Sequence, residues 1–141
     1  MLKGIPSIIS PELLKILSEM GHGDEISICD ANCPAYGLVD KVVRCEVKSA
    51  PELVDAILKL MPLDTYQKPV YLMQLVPGDN VDTANWTEYE AVVAKHTNEE
   101  IEHVERFAFY DKMKNSYAAV LTSDIRPYGN IILKKGVVTE N

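Results

Sequence analysis

The chain has 141 residues, 47% of them hydrophobic and 25% charged, with a formal net charge of −7 at neutral pH. That length suits a single domain over 1–141, whose core needs no disulfide or metal staple. The acidic balance argues against nucleic acid, whose phosphates demand clustered Lys and Arg; the one basic dipeptide, Lys134-Lys135, is too small a patch to reverse it. No apolar run is long enough to span a bilayer, so no membrane partner is expected. The opening "MLKGIPSIIS" lacks the apolar stretch and cleavage site of a secretory signal, and a cytoplasmic protein is expected.

In chain order, Ser10 is a good N-cap and Pro11 suits the first helical position, so "SPELLKILSEM" predicts a helix. Its apolar residues Leu13, Leu14, Ile16, Leu17 and Met20 recur at helical spacing, and Gly21 is expected to stop it in the left-handed conformation. "EISICD" predicts a strand, and "KVVRCEV" a second one after the turn-rich "ANCPAYGLVD". Ser49 and Glu52 have capping-box spacing for a helix running to about Met61, before Pro62. "PVYLMQLV" predicts a strand buried on both faces. Asp82 can cap a helix through about His96 that carries Trp86, Tyr89, Val92 and Val93 on one side. "IEHVER" predicts a further strand, "FAFYDKMKNS" a helix, and "YAAVLTS" and "NIILKKGVV" the last two strands. Roughly six strands interleaved with four helices predict an α/β fold, a three-layer α/β/α sandwich with a mixed sheet. The loop between the last two strands is too short for a helical crossover, so that pair need not follow parallel rules.

The cysteines, Cys29, Cys33 and Cys45, form an odd, sparse set that predicts free thiols. Cys29 and Cys33 have a C-x3-C spacing with His22 nearby, but no second Cys pair completes a tetrahedral site, and no metal is expected.

In open α/β sheets ligands bind where strands end, and Asp30 stands at such a tip, able to accept hydrogen bonds from hydroxyls. His22 lies on the loop entering the same strand, between Gly21 and Gly23. A straight strand would separate His22 from Asp30 by about 20 Å. The two share a pocket only if the loop folds back or if His22 serves a site on another subunit; otherwise His22 is a solvated turn residue. Asp24 either orients His22 or is an exposed loop acid. In "RFAFY", Arg106 precedes aromatics that either line a ligand or pack Phe107 and Tyr110 into the core. "RPYGN" combines a turn with Tyr128 and Asn130, both two-way hydrogen bonders, with Gly129-Asn130 expected to supply any unusual φ. The chain has no phosphate-cradling glycine loop, dinucleotide fingerprint or nucleophile elbow. One His, one carboxylate, one Arg, one phenol and one amide suit an uncharged, hydroxyl-rich molecule.

At "ISPELLKILSEMGHGDEI", "RFAFY" and "YGNIILKKGV" the chain resembles the RbsD/FucU family of sugar mutarotases, with gappier agreement between about 33 and 100. The resemblance implies interconversion of α and β anomers of a monosaccharide without cofactor or metal. It implies His22 as proton donor and Asp30, Arg106, Tyr128, Gly129 and Asn130 as substrate contacts. It also implies a homo-oligomeric ring, typically a decamer, with sites near subunit contacts. Arg106 within "RFAFY" favours the branch acting on L-fucose over the D-ribose pyranase branch, while "CPAYGLVD" departs from typical fucose members. The alternative from another class is a non-catalytic sugar-binding accessory protein.

Overall fold

The computed structural model describes residues 1–140. Its elements are α1 (Pro11–Glu19), β1 (Glu25–Cys29), α2 (Ala35–Leu38), β2 (Val42–Cys45), α3 (Ala50–Leu58), β3 (Val70–Met73), α4 (Ala84–Val93), β4 (Glu102–Val104), α5 (Arg106–Lys114), β5 (Ala118–Thr122) and β6 (Ile131–Lys134). The short α2 falls in the segment expected to be turns.

Local chemistry accounts for the helix starts. The Ser10 hydroxyl accepts from Leu13 N at 3.1 Å, and the Ser49 hydroxyl from Glu52 N at 3.3 Å. At α4, Asp82 Oδ1 accepts from Ala84 N at 2.9 Å. Glu105 caps α5 by accepting from Phe107 N and Ala108 N. These caps satisfy amide hydrogens that have no partner within their helices.

The strands form one sheet in the order β2-β5-β1-β6-β3-β4. β1, β2 and β5 pair in parallel, as do β3 and β4, while β6 runs antiparallel to both β1 and β3. The expected mixed sheet is therefore borne out, and its single reversal lies in the last strand. β6 does not pair with β5 but lies on the far side of β1, so the short loop between them crosses over the C-terminal end of β1.

Side-chain alternation divides the core. Ile26, Ile28, Leu72, Val120, Ile131 and Leu133 pack toward α1, α3 and α4; Cys29, Tyr71, Met73, Ala119, Leu121 and Ile132 pack toward α2 and α5. All of β3 is buried, as expected for a strand covered on both faces. The cysteines are free and buried. No described helix is long and apolar enough to cross a membrane.

The stop of α1 differs from expectation. Met20, in extended conformation, ends the helix, and the positive φ belongs to Gly23 (86°), not Gly21. Asp24 supplies the reason: its Oδ2 accepts from Gly21 N at 2.7 Å and forms a turn that needs no left-handed residue at Gly21.

Candidate functional site

Five of the six candidate residues converge where the β5–β6 loop crosses β1. Asp30 N donates to Asn130 Oδ1 at 2.9 Å, and Gly129 N donates to Asp30 Oδ2 at 3.3 Å. A Cβ on Gly129 would meet Asn85 Nδ2 at 3.1 Å and the Arg126 carbonyl at 3.2 Å, so the close approach of the loop requires glycine. Asp30, Tyr128 and Asn130, with Arg106 from the start of α5, bound a cleft of about 290 Å³ that also takes in Asn32, Cys33, Val76, Asp79 and Tyr110. A larger open trough of about 670 Å³ between α4 and β4 is walled by Glu90, Glu99 and Glu100 and contains none of the candidates.

The unusual φ of the loop falls on Tyr128 (56°), not on Gly129 or Asn130. A non-glycine residue there costs about 1–2 kcal/mol, and α4 supplies what offsets it. Asn85 Nδ2, Trp86 Nε1 and the Tyr89 hydroxyl donate to the successive carbonyls of Pro127, Tyr128 and Gly129 at 3.2, 2.8 and 2.6 Å. The Tyr128 hydroxyl in turn accepts from Val76 N at 3.2 Å and donates to Asp79, which holds the phenol above its ordinary pKa range. Sequence periodicity identified Trp86 and Tyr89 as apolar residues; their polar ends brace the loop.

Asp30 is buried, and that burial pushes its carboxyl above the usual range, against hydrogen bonds from the amides of Asn32 and Gly129. Its Oδ1 accepts from Asn32 N at 3.0 Å. Arg106 forms no ion pair among the described residues, and its Nε, buried, finds no hydrogen-bond partner among them. Its guanidinium lies over the Phe107 ring at 4.5 Å. The core-packing alternative for this segment is out of register: Phe107 is 64% exposed, Phe109 and Met113 enter the core, and Tyr110 lines the cleft. A carboxylate that accepts, a cation with free donors and a two-way phenol and amide can together grip several hydroxyls of one small neutral molecule.

His22 stands apart. It precedes β1, whereas Asp30 follows it, and the loop does not fold back. Antiparallel β6 marks the separation: its entry carries Asn130 beside Asp30, and its exit carries Lys135, whose carbonyl accepts from Gly23 N at 2.8 Å. His22 Nε2 lies 3.0 Å from Asp64 Oδ1, and the Tyr66 ring is tilted against the imidazole, centroids 5.3 Å apart. Asp64 is 3% exposed, the His22 side chain 45%. Asp24, exposed, is committed to Gly21 and does not touch the imidazole. Sequence reasoning missed Asp64 and Tyr66; "LDTY" follows a proline and resembles any polar loop.

A three-layer sandwich with a hydroxyl-gripping cleft at its strand ends defines a protein that handles a small polyol or sugar. The chain belongs to the RbsD / FucU transport protein family, which it matches over residues 3–138. It is 50% identical over 140 residues to the L-fucose mutarotase of Glaesserella parasuis serovar 5, covering 97% of this chain and 96% of that one. The fucose mutarotase of Streptococcus pneumoniae, solved in complex with L-fucose, superposes with a TM-score of 0.92 at 45% identity, covering 98% of this chain and all of that one (100%). Bacillus subtilis RbsD, solved with D-ribose, superposes with a TM-score of 0.77 at 25% identity, covering 99% of this chain and 100% of that one.

Proposed function

We infer that this protein is an isomerase that interconverts the α and β anomers of L-fucose. The observation that carries the reading is the Asp30–Arg106–Tyr128–Asn130 cleft in a chain 45% identical over nearly its whole length to a mutarotase solved with that sugar. The weaker likeness to the ribose-bound relative favours the fucose branch. A cleft of about 290 Å³ sits at the small end of ligand sites and suits one monosaccharide.

Anomer exchange opens and recloses the sugar ring. The C1–O5 bond breaks as O5 gains a proton and the anomeric hydroxyl loses one, leaving an aldehyde that rotates and recloses with both protons returned. His22 donates the proton to O5 and recovers it on reclosure, acting as general acid and then general base. Asp30, raised by burial, accepts the proton from the anomeric hydroxyl. Arg106, Tyr128, Gly129 and Asn130 fix the remaining oxygens. The reaction balances without a metal or cofactor.

His22 reaches this chemistry in the cleft of a neighbouring subunit. Its exposure, its place at the far end of β1, and the exposed Tyr66 ring against it support a head-to-tail contact between copies, in a ring that we take to be decameric. We place the protein in the cytoplasm.

NMR exchange spectroscopy on L-fucose tests the reading. His22→Ala is expected to lower the exchange rate by about 10²–10⁴-fold and leave sugar binding in place; an unchanged rate refutes it. Co-refolded with Arg106→Ala, itself inactive, His22→Ala is expected to recover about a quarter of parental activity, the share of random head-to-tail pairs that join an intact His22 to an intact cleft. No recovery refutes the shared site, and D-ribose exchanged faster than L-fucose refutes the branch.

A further inference from the structure

We propose, resting on the reading of Tyr128 as a sugar contact, that Asp79 is the positioning residue of that phenol. It holds the phenolic hydrogen and leaves Tyr128 only an accepting lone pair, so the sugar hydroxyl bound there must donate.

A phenolic hydroxyl has one hydrogen and two lone pairs. In Tyr128 the hydrogen goes to the Asp79 carboxylate, and the Val76 amide donates to the oxygen at 3.2 Å. A carboxylate only accepts and an amide N–H only donates, so neither bond can reverse. One lone pair remains, on a side chain that borders the cleft together with Val76 and Asp79. Arg106, in the same cleft, only donates. Tyr128 and Arg106 therefore make opposite demands on sugar oxygens: the first takes a hydrogen and the second supplies one. A free hydroxyl meets either demand, whereas a fluorine or an ether oxygen meets only that of Arg106. In the closed sugar the ring oxygen carries no hydrogen, so Tyr128 accepts from a ring hydroxyl and does not face O5.

The turn that carries Asp79 is set by "VPGD", residues 76–79. Asp79 N donates to Val76 O at 3.0 Å, and Gly78 stands at φ +93° after Pro77, the pattern of a type II turn. Proline at its second place and glycine at its third prepare the chain for this conformation. The turn folds Asp79 back beside Val76, so the carboxylate and the amide reach one phenol from three residues apart. On the other side, the three donors of α4 fix the backbone that carries the phenol. Asp79 is itself exposed and forms no ion pair among the described residues, which leaves its carboxylate to Tyr128.

Fluorinated sugars test the assignment, because fluorine accepts but carries no hydrogen. Calorimetry measures the affinity of L-fucose and of analogues in which fluorine replaces one ring hydroxyl at a time, the anomeric one excepted. Binding is read instead of exchange, since fluorine alters the sugar's own ring opening. In the parent, the analogue altered at the hydroxyl that meets Tyr128 is expected to bind about tenfold more weakly than L-fucose. Tyr128→Phe is expected to abolish that preference. In Asp79→Ala the phenol is free to turn its hydrogen to the fluorine, and the preference at the same position is expected to fall to about threefold or less. Each preference is a ratio within one protein, so a loosened loop that weakens all the sugars alike leaves it unchanged. An undiminished preference in Asp79→Ala overturns the positioning role. Equal affinity of the parent for every analogue overturns the accepting lone pair, as does a set of preferences that Tyr128→Phe leaves intact, and the parent measurement requires no variant to fold. A parent that neither binds nor exchanges L-fucose overturns the functional reading and this proposal with it.

Discussion

Gly136 is where the structure leaves least room. A Cβ added there would lie 2.4 Å from the Leu63 carbonyl oxygen, 2.7 Å from its carbon and 3.0 Å from Asp64 N, all backbone atoms that no side-chain rotation can move. Ordinary contact needs roughly 3.5 Å, so Gly136→Ala must part the two segments by about 1 Å. The bonds across the gap, Gly136 N to Pro62 O at 2.8 Å and Asp64 N to Lys134 O at 3.0 Å, do not survive that displacement. Losing two such bonds costs about 1–3 kcal/mol, and overpacking typically costs about 1–3 kcal/mol before relaxation. A destabilisation of about 2–4 kcal/mol is expected, which lowers the melting temperature by roughly 10 °C in a chain of this length. The cleft lies at the other end of β6, so sugar affinity is expected to persist while exchange slows, because Asp64 moves away from His22. Thermal denaturation by circular dichroism at fixed protomer concentration, with NMR exchange on the same samples, measures both effects. A variant within about 0.5 kcal/mol of the parent and equally fast would refute the close approach and the bonds built on it.

Gly21→Ala and Gly23→Ala separate two glycines that look alike in sequence. Gly23, at φ +86°, is expected to cost about 1–2 kcal/mol, whereas alanine at Gly21 meets only Asp24 Oδ2 at 3.6 Å and is expected to be near neutral in urea unfolding; equal costs refute the turn assignment. For Asp30, burial raises the native carboxyl above its unfolded value, so this group's contribution to stability is present below the ordinary carboxylate range and lost as pH rises through the raised native value. Asp30→Asn is expected to flatten that slope, to stay within about 1 kcal/mol of the parent at neutral pH, and to lose anomer exchange; an unchanged pH slope refutes the burial argument. Asp124 is the opposite case. Burial pushes its carboxyl up, but Arg126 and the Ala50 amide outweigh it and hold it low, so its contribution is present above the ordinary range and lost as pH falls through the native value. Arg126→Ala is expected to cost about 2–3 kcal/mol near neutrality and less in acid, as read from denaturant midpoints across pH; a cost independent of pH refutes the ion-pair account.

Much of this fold was legible because the signals were local. Ser10, Ser49 and Asp82 mark helix starts through hydrogen bonds that span only two or three residues. The apolar run around Val70–Met73 reads as a strand covered on both faces because it is of strand length and is closed by the turn residues of "PGDN". What failed was decided by contacts distant in sequence. Glycine is the usual left-handed residue at a helix stop, which points to Gly21, but Asp24 removes the need for one there. The positive φ in "RPYGN" falls on Tyr128 because three donors from α4, some 40 residues upstream, hold its neighbouring carbonyls. The register of "RFAFY" turned on Arg106 facing the cleft, which carries Phe107 to the surface and Phe109 to the core. Four candidates, Asp30, Arg106, Tyr128 and Asn130, are readable as polar groups at a strand tip, a helix start and a turn; Asp64 is not, since a carboxylate after "MPL" has no local mark of its partner.

The reversal of β6 connects these features. Had the last strand run parallel to β1, its entry would lie beside His22, and Tyr128–Asn130 could not lie over the tip of β1. Running antiparallel, β6 enters at the cleft and leaves at His22, so "YGNIILKKGV" serves both ends of the molecule in ten residues: Asn130 fixes Asp30, and Gly136 admits the Asp64 segment. The same geometry keeps the two ends apart, because β6 is a buried, hydrogen-bonded strand between β1 and β3 and cannot fold to bring them together. Any catalysis that uses both ends must therefore join the exit of one β6 to the entry of another, and a rigid strand is a better spacer for that than a loop. Under the shared-site reading, β6 fixes the distance between the two ends within each copy, and the contact between copies sets the placement of imidazole against cleft.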